Sequence, residues 1–202
     1  NRGVRFNAHR ILLEEAIAGA FEQTLGAVQS ASMLAGDIGE TLRLAAAGRL
    51  GEARLRLFHP LGFMLASPAE TAAEALEYFP AGALVEDKYD GIRAQAHKGG
   101  GQVRLFSRTL DEIVEFSELA APLRALPGEF ILDGEVVAWR EGRALPFTEM
   151  QKRLGRKQPD LFLSSEIPVS FLVFDLLYCD GEILLDLPLG ERRRRLSGLL
   201  AP

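Results

Sequence analysis

Cysteine, histidine and long apolar runs are scarce in this sequence, and each shortage excludes a class of protein. The 202 residues include one cysteine, Cys179, so no disulfide can form within the chain, which fits a reducing compartment. Cys179 ends an apolar stretch and is interpreted as a packed core thiol. The three histidines are far apart and lack metal-ligand spacing, which argues against a zinc site. No apolar run approaches the roughly 20 residues that span a bilayer, and no signal peptide is visible.

The composition is that of an ordinary globular protein, with 48% apolar and 25% charged residues. Its formal net charge of −5 argues against a protein that simply coats nucleic acid. Positive charge is nevertheless concentrated in residues 49–56, 104–108, 152–157 and 192–195, each of which could contact DNA or form an ordinary solvated surface. The chain begins with Asn1 rather than Met, so we expect the natural N-terminus to lie further upstream.

The pattern of apolar residues predicts two structural regions. Residues 1–57 are predicted to be helical, with Asn7 as one N-cap and the Asp37–Glu40 spacing as a capping box that begins another helix. Pro60 and Gly62 interrupt the helical pattern, so we expect a domain boundary between residues 1–59 and 60–202.

The second region combines short helices with strands joined by hairpin turns. Strands are predicted at residues 83–86, 92–97, 103–107, 130–139 and 169–178, and helices at 67–79, 111–126, 147–154 and 191–200. This mixture predicts an α+β domain built on antiparallel sheets.

Lys88 is the first candidate for chemistry, in the segment Lys-Tyr-Asp-Gly-Ile-Arg. A lysine is a nucleophile only when neutral, and burial or a nearby cation such as Arg93 favours the neutral form. Gly91 would let backbone approach a ligand closely. The alternative is an ordinary Asp-Gly turn with a surface lysine, and this motif alone does not decide between the two.

Asp133 and Glu135 interrupt an apolar strand and share one of its faces, because side chains alternate along a strand. Buried carboxylates are costly unless they are paired or bind a metal, and two on one face could hold a hydroxyl group or Mg²⁺. The alternative is a turn or bulge with both carboxylates in solvent.

Phe174 and Arg108 are weaker candidates on their own. Phe174 precedes Asp175 in an apolar strand, where its ring could stack on a flat ligand or simply fill the core. Arg108 follows a strand and could clamp a phosphate with two hydrogen bonds.

The order Lys88, Arg108, Glu135, Phe174 resembles the ordered motifs of the covalent nucleotidyltransferases, and most closely those of the ATP-dependent DNA ligases. The segments that carry the resemblance are EDKYDGIRAQAH, LFSRTLDEI, FILDGEVVAW, FLVFDLLY and PLGERRRRL. Together they cover residues 60–200 almost continuously. The helices around GDIGE are similar, more loosely, to the end of the helical DNA-binding domain that precedes the catalytic core of larger ligases.

This resemblance implies both a fold and a reaction. Residues 1–59 would end a helical DNA-binding domain, and residues 60–202 would form the first part of an ATP-grasp-like nucleotidyltransferase domain. Lys88 would attack the α-phosphate of ATP to form lysyl-AMP, with Mg²⁺ or Mn²⁺ as the metal. AMP would then pass to the 5′-phosphate of nicked double-stranded DNA, and the 3′-hydroxyl would displace it.

The resemblance also assigns roles to individual side chains. Glu86 would contact the adenine edge and Phe174 would stack on the ring, while Arg93 and Arg108 would face the ribose and phosphate. Glu135 would hold a ribose hydroxyl or the metal. The protein would be a monomer of the bacterial cytoplasm or nucleoid, or of the nucleus in a eukaryote, without membrane association.

Two alternatives remain open at this point. RNA ligases and capping guanylyltransferases share the lysine chemistry, although the helical N-terminal region and the wording SRTLDEI favour a DNA ligase. The chain could also be a DNA-binding module that has kept the fold without catalysis. Every motif present keeps the residue that its chemistry needs, which argues against this second alternative.

The later lysine motifs of the family and its OB-fold domain are expected to follow residue 202, so the phosphate clamp within this chain is incomplete. We therefore predict that residues 1–202 alone bind ATP weakly and do not seal a nick. A ligation assay on a singly nicked duplex with ATP and Mg²⁺, beside a version completed with those motifs, measures this. Any DNA affinity should fall steeply with salt. Sealing by the chain alone at a rate near that of the completed version would contradict the prediction.

Overall fold

The structure is a computed structural model that describes residues 2–63, 67–80, 82–154 and 167–201, with side chains described from Arg10 onward. The described helices are α1 Arg2–Ala20, α2 Leu25–Ala35, α3 Ile38–Ala46, α4 Ala72–Glu77, α5 Ala120–Ala125, α6 Phe147–Gln151 and α7 Leu189–Leu200, with short 3₁₀ turns at Leu50–Glu52 and Ser117–Leu119. The described strands are β1 Ile92–Gly99, β2 Gln102–Ser107, β3 Phe130–Arg140, β4 Arg143–Ala144, β5 Val169–Cys179 and β6 Glu182–Ile183. The predicted α+β class is confirmed.

Three helices form the N-terminal region around a small apolar core. Buried residues of this core include Ile17, Val28 and Leu44, one from each helix. The predicted cap at Asp37 is confirmed, because its carboxylate accepts a hydrogen bond of 2.7 Å from the Glu40 amide at the start of α3. The predicted cap at Asn7 is wrong, because α1 begins at Arg2 and Asn7 lies inside the helix.

The strands form one six-stranded antiparallel sheet in the order β2-β1-β3-β5-β6, with β4 paired to β3. The hairpin between β1 and β2 turns at Gly100 and Gly101, which both have positive φ, as the predicted loop requires. The strand around Asp133-Gly134-Glu135 continues without a turn, so the prediction of an interruption there is wrong. The facing strand β5 carries two bulges instead, with Phe174 and Leu177 as the extra residues.

Three predicted elements differ from the structure. Residues 83–86 form no strand and pair with none of the described strands. Residues 111–116 are not helical, because Glu112 forms a bridge with Phe106 and extends the β2 region. The helix expected from residue 67 begins at Ala72, where Thr71 caps the Glu74 amide at 3.1 Å.

The two faces of the sheet have different environments. Ala94, Leu132 and Val136 point into the main core, where α7 and the short helices pack. On the opposite face Ile131 packs against Leu61 and other residues from the segment that joins the helical region to the sheet. The division at residue 60 stays a prediction. Among the described helices, none is long and apolar enough to cross a bilayer.

Two buried polar side chains of β1 hold that joining segment on the sheet. The Gln95 side chain accepts a hydrogen bond from the Leu61 amide and donates one to the Leu61 carbonyl, both at 2.9 Å. Nδ1 of His97 accepts a hydrogen bond of 3.0 Å from the Phe58 amide, and the ring meets Phe106 edge-on. Burial, with a smaller contribution from His59, lowers the pKa of His97 to about 3.

A neutral, buried His97 should make folding stability fall with acid. The unfolded chain binds a proton on this residue below about pH 6.5, whereas the folded chain excludes it down to about pH 3, so stability is lost as the pH falls through this window. The slope attributable to one such group is about 1.4 kcal/mol per pH unit. Urea unfolding between pH 7 and pH 4 should therefore show a shallower pH dependence in His97→Gln.

Exposed His59 provides the control: it makes only the smaller contribution to the pKa of His97, so His59→Gln should keep most of the wild-type slope. Equal slopes for the wild type and His97→Gln would show that His97 is protonated in the folded chain.

Candidate active site

Gly91 and Glu135 bring the segment that carries Lys88 against the sheet. The Gly91 amide donates a hydrogen bond of 3.2 Å to Oε1 of Glu135. A Cβ at Gly91 would collide with the Val136 carbonyl oxygen and lie 2.8 Å from the Val137 side chain, so close approach to β3 requires glycine here. Burial raises the pKa of Glu135, against the lowering effects of the Gly91 amide, Arg93 and Lys88.

Arg93 and Asp133 form a bidentate ion pair across β1 and β3. Nε and Nη2 of Arg93 donate to the two carboxylate oxygens of Asp133 at 3.2 and 2.8 Å. The Asp133 side chain is 8% exposed, and its burial raises its pKa while Arg93 lowers it. Asp133 and Glu135 therefore do not lie in solvent, as a turn would require. The charge of Asp133 is compensated by Arg93 of the neighbouring strand.

Phe174 lies in a bulge of β5 beside this ion pair. Asp175 pairs with Asp133 and Val173 pairs with Gly134, so Phe174 is the extra residue without a partner in the ladder. Its ring centroid is 5.5 Å from the Arg93 guanidinium carbon, which also lies 4.6 Å from the centroid of Phe63. Arg93 is thus close to two aromatic rings and one carboxylate.

Lys88 is exposed, in a segment that has no strand partner, and it interacts electrostatically with Glu135. Two residues earlier, Glu86 forms an ion pair with Arg193 of α7. The structure therefore brings Lys88, Arg93, Glu135 and Phe174 to one face of the sheet, with Glu86 held at its border by α7.

Arg108 is a predicted site residue for which the described part of the chain shows no contact with this group. It is exposed, directly after β2, and its neighbour Ser107 pairs with Ala94, so it lies at the end of the sheet where Arg93 lies. Its proposed role with phosphate stays a prediction.

Sequence reasoning missed two participants. Phe63 follows Gly62 in the joining segment, and nothing in its local pattern indicates that it reaches Arg93. Arg192 belongs to a basic run interpreted as possible DNA-binding or solvated surface, yet it makes a bidentate ion pair with Asp175 at 2.8 and 2.9 Å. For Arg192 the available signal was Asp175, an acid inside an apolar strand that needs a cation.

The basic cluster of α7 is engaged within the protein. Arg192, Arg193, Arg194 and Arg195 pair with Asp175, Glu86, Glu191 and, for Arg195, both Glu182 and Glu191. Each arginine of this cluster therefore has an acidic partner within the protein.

Within the described ranges, no group of three or more metal-ligating side chains comes together. Glu135 is half-buried and faces the cleft, whereas Asp133 is occupied by Arg93. Mg²⁺ commonly takes one or two protein carboxylates and completes its shell with phosphate oxygens and water. Glu135 fits such a shared site.

A lysine that interacts with a carboxylate, beside an arginine and an aromatic ring on an antiparallel sheet, is the arrangement that the sequence predicts for a nucleotidyltransferase domain. The family model described as the ATP dependent DNA ligase domain matches residues 63–202. The chain belongs to this family of ATP-dependent DNA ligase domains.

Relatives along nearly the whole chain carry ligase names. A "Probable DNA ligase" of Koribacter versatilis is 56% identical over 190 residues, which are 94% of this chain and 33% of that relative. A "DNA ligase 1" of Korarchaeum cryptofilum is 39% identical over 97% of this chain and 36% of that protein. The chain thus spans about a third of the length of these curated relatives.

Among solved structures, the ligase domain of LigD from M. tuberculosis aligns with a TM-score of 0.46 and 32% identity, over 55% of this chain and 34% of that chain. A mycobacterial DNA ligase D complexed with ATP and MES aligns with a TM-score of 0.44 and 32% identity, over 56% of this chain and 35% of that chain.

Gly91→Ala tests the close approach that holds the Lys88 segment on β3. The added Cβ must displace the segment and weaken the Gly91–Glu135 hydrogen bond, so we predict a loss of about 1–3 kcal/mol of stability, the usual cost of overpacking. The urea midpoint measures this loss. Gly26→Ala in α2 is the control, because a Cβ there meets nothing within 4 Å, and it should not lower the midpoint. Equal midpoints for Gly91→Ala and wild type would contradict this account.

Proposed function

We propose that this chain is the nucleotide-binding part of an ATP-dependent DNA ligase that forms a lysyl-AMP intermediate and passes AMP to the 5′-phosphate of a DNA nick. The observation that carries the proposal is the convergence of Lys88, Arg93, Glu135 and Phe174 on one face of the sheet. The 3′-hydroxyl at the nick then attacks the activated phosphate, forms the phosphodiester and releases AMP.

Lys88 is the proposed nucleophile. Its neutral amine attacks the α-phosphorus of ATP, a P–N bond forms, the bond to the bridging oxygen breaks, and pyrophosphate leaves while the amine loses a proton. The exposed position of Lys88 and its electrostatic interaction with Glu135 support an amine at the open side of the cleft, where a triphosphate would enter.

The other side chains would bind the nucleotide. Phe174 would stack on adenine, since an aromatic face suits a flat heterocycle. Glu86 would accept a hydrogen bond from the adenine edge. Arg93 and Arg108 would contact the ribose and phosphates, because guanidinium groups donate to such oxygens.

Mg²⁺, or Mn²⁺, would be held by Glu135 together with phosphate oxygens. When bound, the metal would neutralise charge on the leaving pyrophosphate. Glu135 would otherwise hold a ribose hydroxyl, because a half-buried carboxylate that keeps one hydrogen bond from Gly91 retains further acceptor sites.

Nicked duplex DNA is the proposed partner, and the protein would act as a cytoplasmic or nucleoid monomer. A cleft of about 280 Å³ in the helical region is lined by Arg43, Arg54 and Arg56, with Glu40 and Glu52 beside them. These arginines would contact phosphates.

Covalent labelling tests the proposed nucleophile. In a chimera that continues this chain with the corresponding C-terminal part of the Koribacter versatilis relative, Lys88→Ala and Lys88→Arg should abolish labelling by α-³²P-ATP with Mg²⁺. Arginine fails because its guanidinium stays protonated. Denaturing gels measure the labelled band, and label that persists in either variant means that another residue is the nucleophile.

Lys152→Arg is the matched control, because this exposed lysine pairs with Glu149 and should not affect labelling. Parallel reactions with GTP and NAD⁺ separate the alternatives: label from GTP but not ATP would favour a capping-type enzyme, and label from none would favour a non-catalytic module.

A further inference from the structure

Asp175 anchors the β5 bulge to the last helix through an ion pair that is largely shielded from solvent. Nε and Nη2 of Arg192 donate to the two carboxylate oxygens of Asp175 at 2.8 and 2.9 Å, and each side chain is 16% exposed. Nη1 of the same arginine donates to the Leu187 carbonyl at 2.5 Å. One guanidinium therefore joins β5, the turn before α7 and α7 itself.

We propose that Arg192 is a positioning residue, which fixes the ring of Phe174 toward the nucleotide cleft by holding Asp175. The inference rests on the proposed function for the identity of the ligand that stacks on this ring. Arg192 itself makes its described contacts with Asp175 and Leu187, so it acts through the bulge and not on the nucleotide.

The bulge needs an anchor because the ladder does not supply one at Phe174. Val173 and Asp175 pair with Gly134 and Asp133, but Phe174 between them has no partner on β3. A bulged residue is free of the alternation that orients other side chains of a strand. Its orientation then depends on its neighbours, and Asp175 is the neighbour held by side-chain hydrogen bonds.

Charge compensation gives Arg192 a second effect on the same cleft. Asp175 pairs directly with Asp133, and the two carboxylates repel each other. With Arg192 bound to Asp175 and Arg93 bound to Asp133, each acid has its own cation. Without Arg192, Asp175 would compete for Arg93 and draw it away from its position over Phe174.

The position of the Phe174 ring can be measured in the 202-residue chain by nuclear Overhauser effects between its ring protons and the Arg93 side chain. The guanidinium carbon lies 5.5 Å from the ring centroid, which is within range of this effect. Arg192→Met keeps the apolar stem but removes the charge and donors, and it should weaken this signal at least about threefold, since the signal falls very steeply with distance. Arg192→Lys keeps one contact but not the bidentate pair, and should retain part of the signal. Arg194→Met is the matched control on α7, because Arg194 is 72% exposed and pairs with Glu191, and it should leave the signal unchanged.

A second variant covers loss of folding. Should Arg192→Met unfold because Asp175 is left buried without a cation, Asp175→Asn/Arg192→Met removes both charges and keeps the fold measurable. It should still show the weakened signal. A wild-type Phe174–Arg93 signal in either folded variant overturns the proposal.

Ligand binding separates this inference from the proposed function. Phe174→Ala should lower the ratio of ATP affinity to tripolyphosphate affinity by about fivefold or more, because stacking favours only the nucleotide. Arg192→Met should lower the same ratio in the same direction. If Phe174→Ala lowers this affinity ratio and Arg192→Met does not, the positioning role is overturned. If Phe174→Ala leaves the ratio unchanged, adenine stacking is overturned, and the measurement of the Phe174 ring decides on Arg192.

Discussion

Asp133 is a carboxylate in the middle of a six-stranded sheet, and the site depends on how its charge is compensated. Leaving such a group buried without a partner costs several kcal/mol, of the order of 3–5 when a pair is broken. Arg93 meets this requirement from the neighbouring strand, and in doing so its guanidinium is placed beside Phe174 and Phe63. The ion pair that compensates the charge of Asp133 therefore also positions Arg93 in the cleft.

The rest of the cleft is built around this ion pair from two directions. On one side Gln95 and His97 form hydrogen bonds with the backbone of the joining segment, and Phe63 of this segment contacts Arg93. On the other side α7 supplies Arg192 to Asp175, the residue opposite Asp133. The cleft is thus anchored on both sides, to the joining segment and to α7.

Local signals predicted the secondary structure well where neighbouring elements agreed with them. The Asp37 cap, the β1–β2 hairpin and the helix near the C-terminus follow from short-range chemistry, and all three are confirmed. Residues 83–86 have the composition of a strand but pair with none of the described strands. Glu112 likewise enters a bridge with Phe106 instead of a helix, because a long-range pairing outweighs modest helix propensity.

The sequence by itself determined the family, the α+β class and the order of the candidate site residues. These follow from the residues of the motifs and from the alternation of side chains along strands. It also determined that Asp133 and Glu135 share one face. Only the tertiary structure decided that Asp133 pairs with Arg93, 40 positions away, and that Asp175 pairs with Arg192, 17 positions away. Strand register and helix docking set these distances, and neither is encoded in the residues next to the charges.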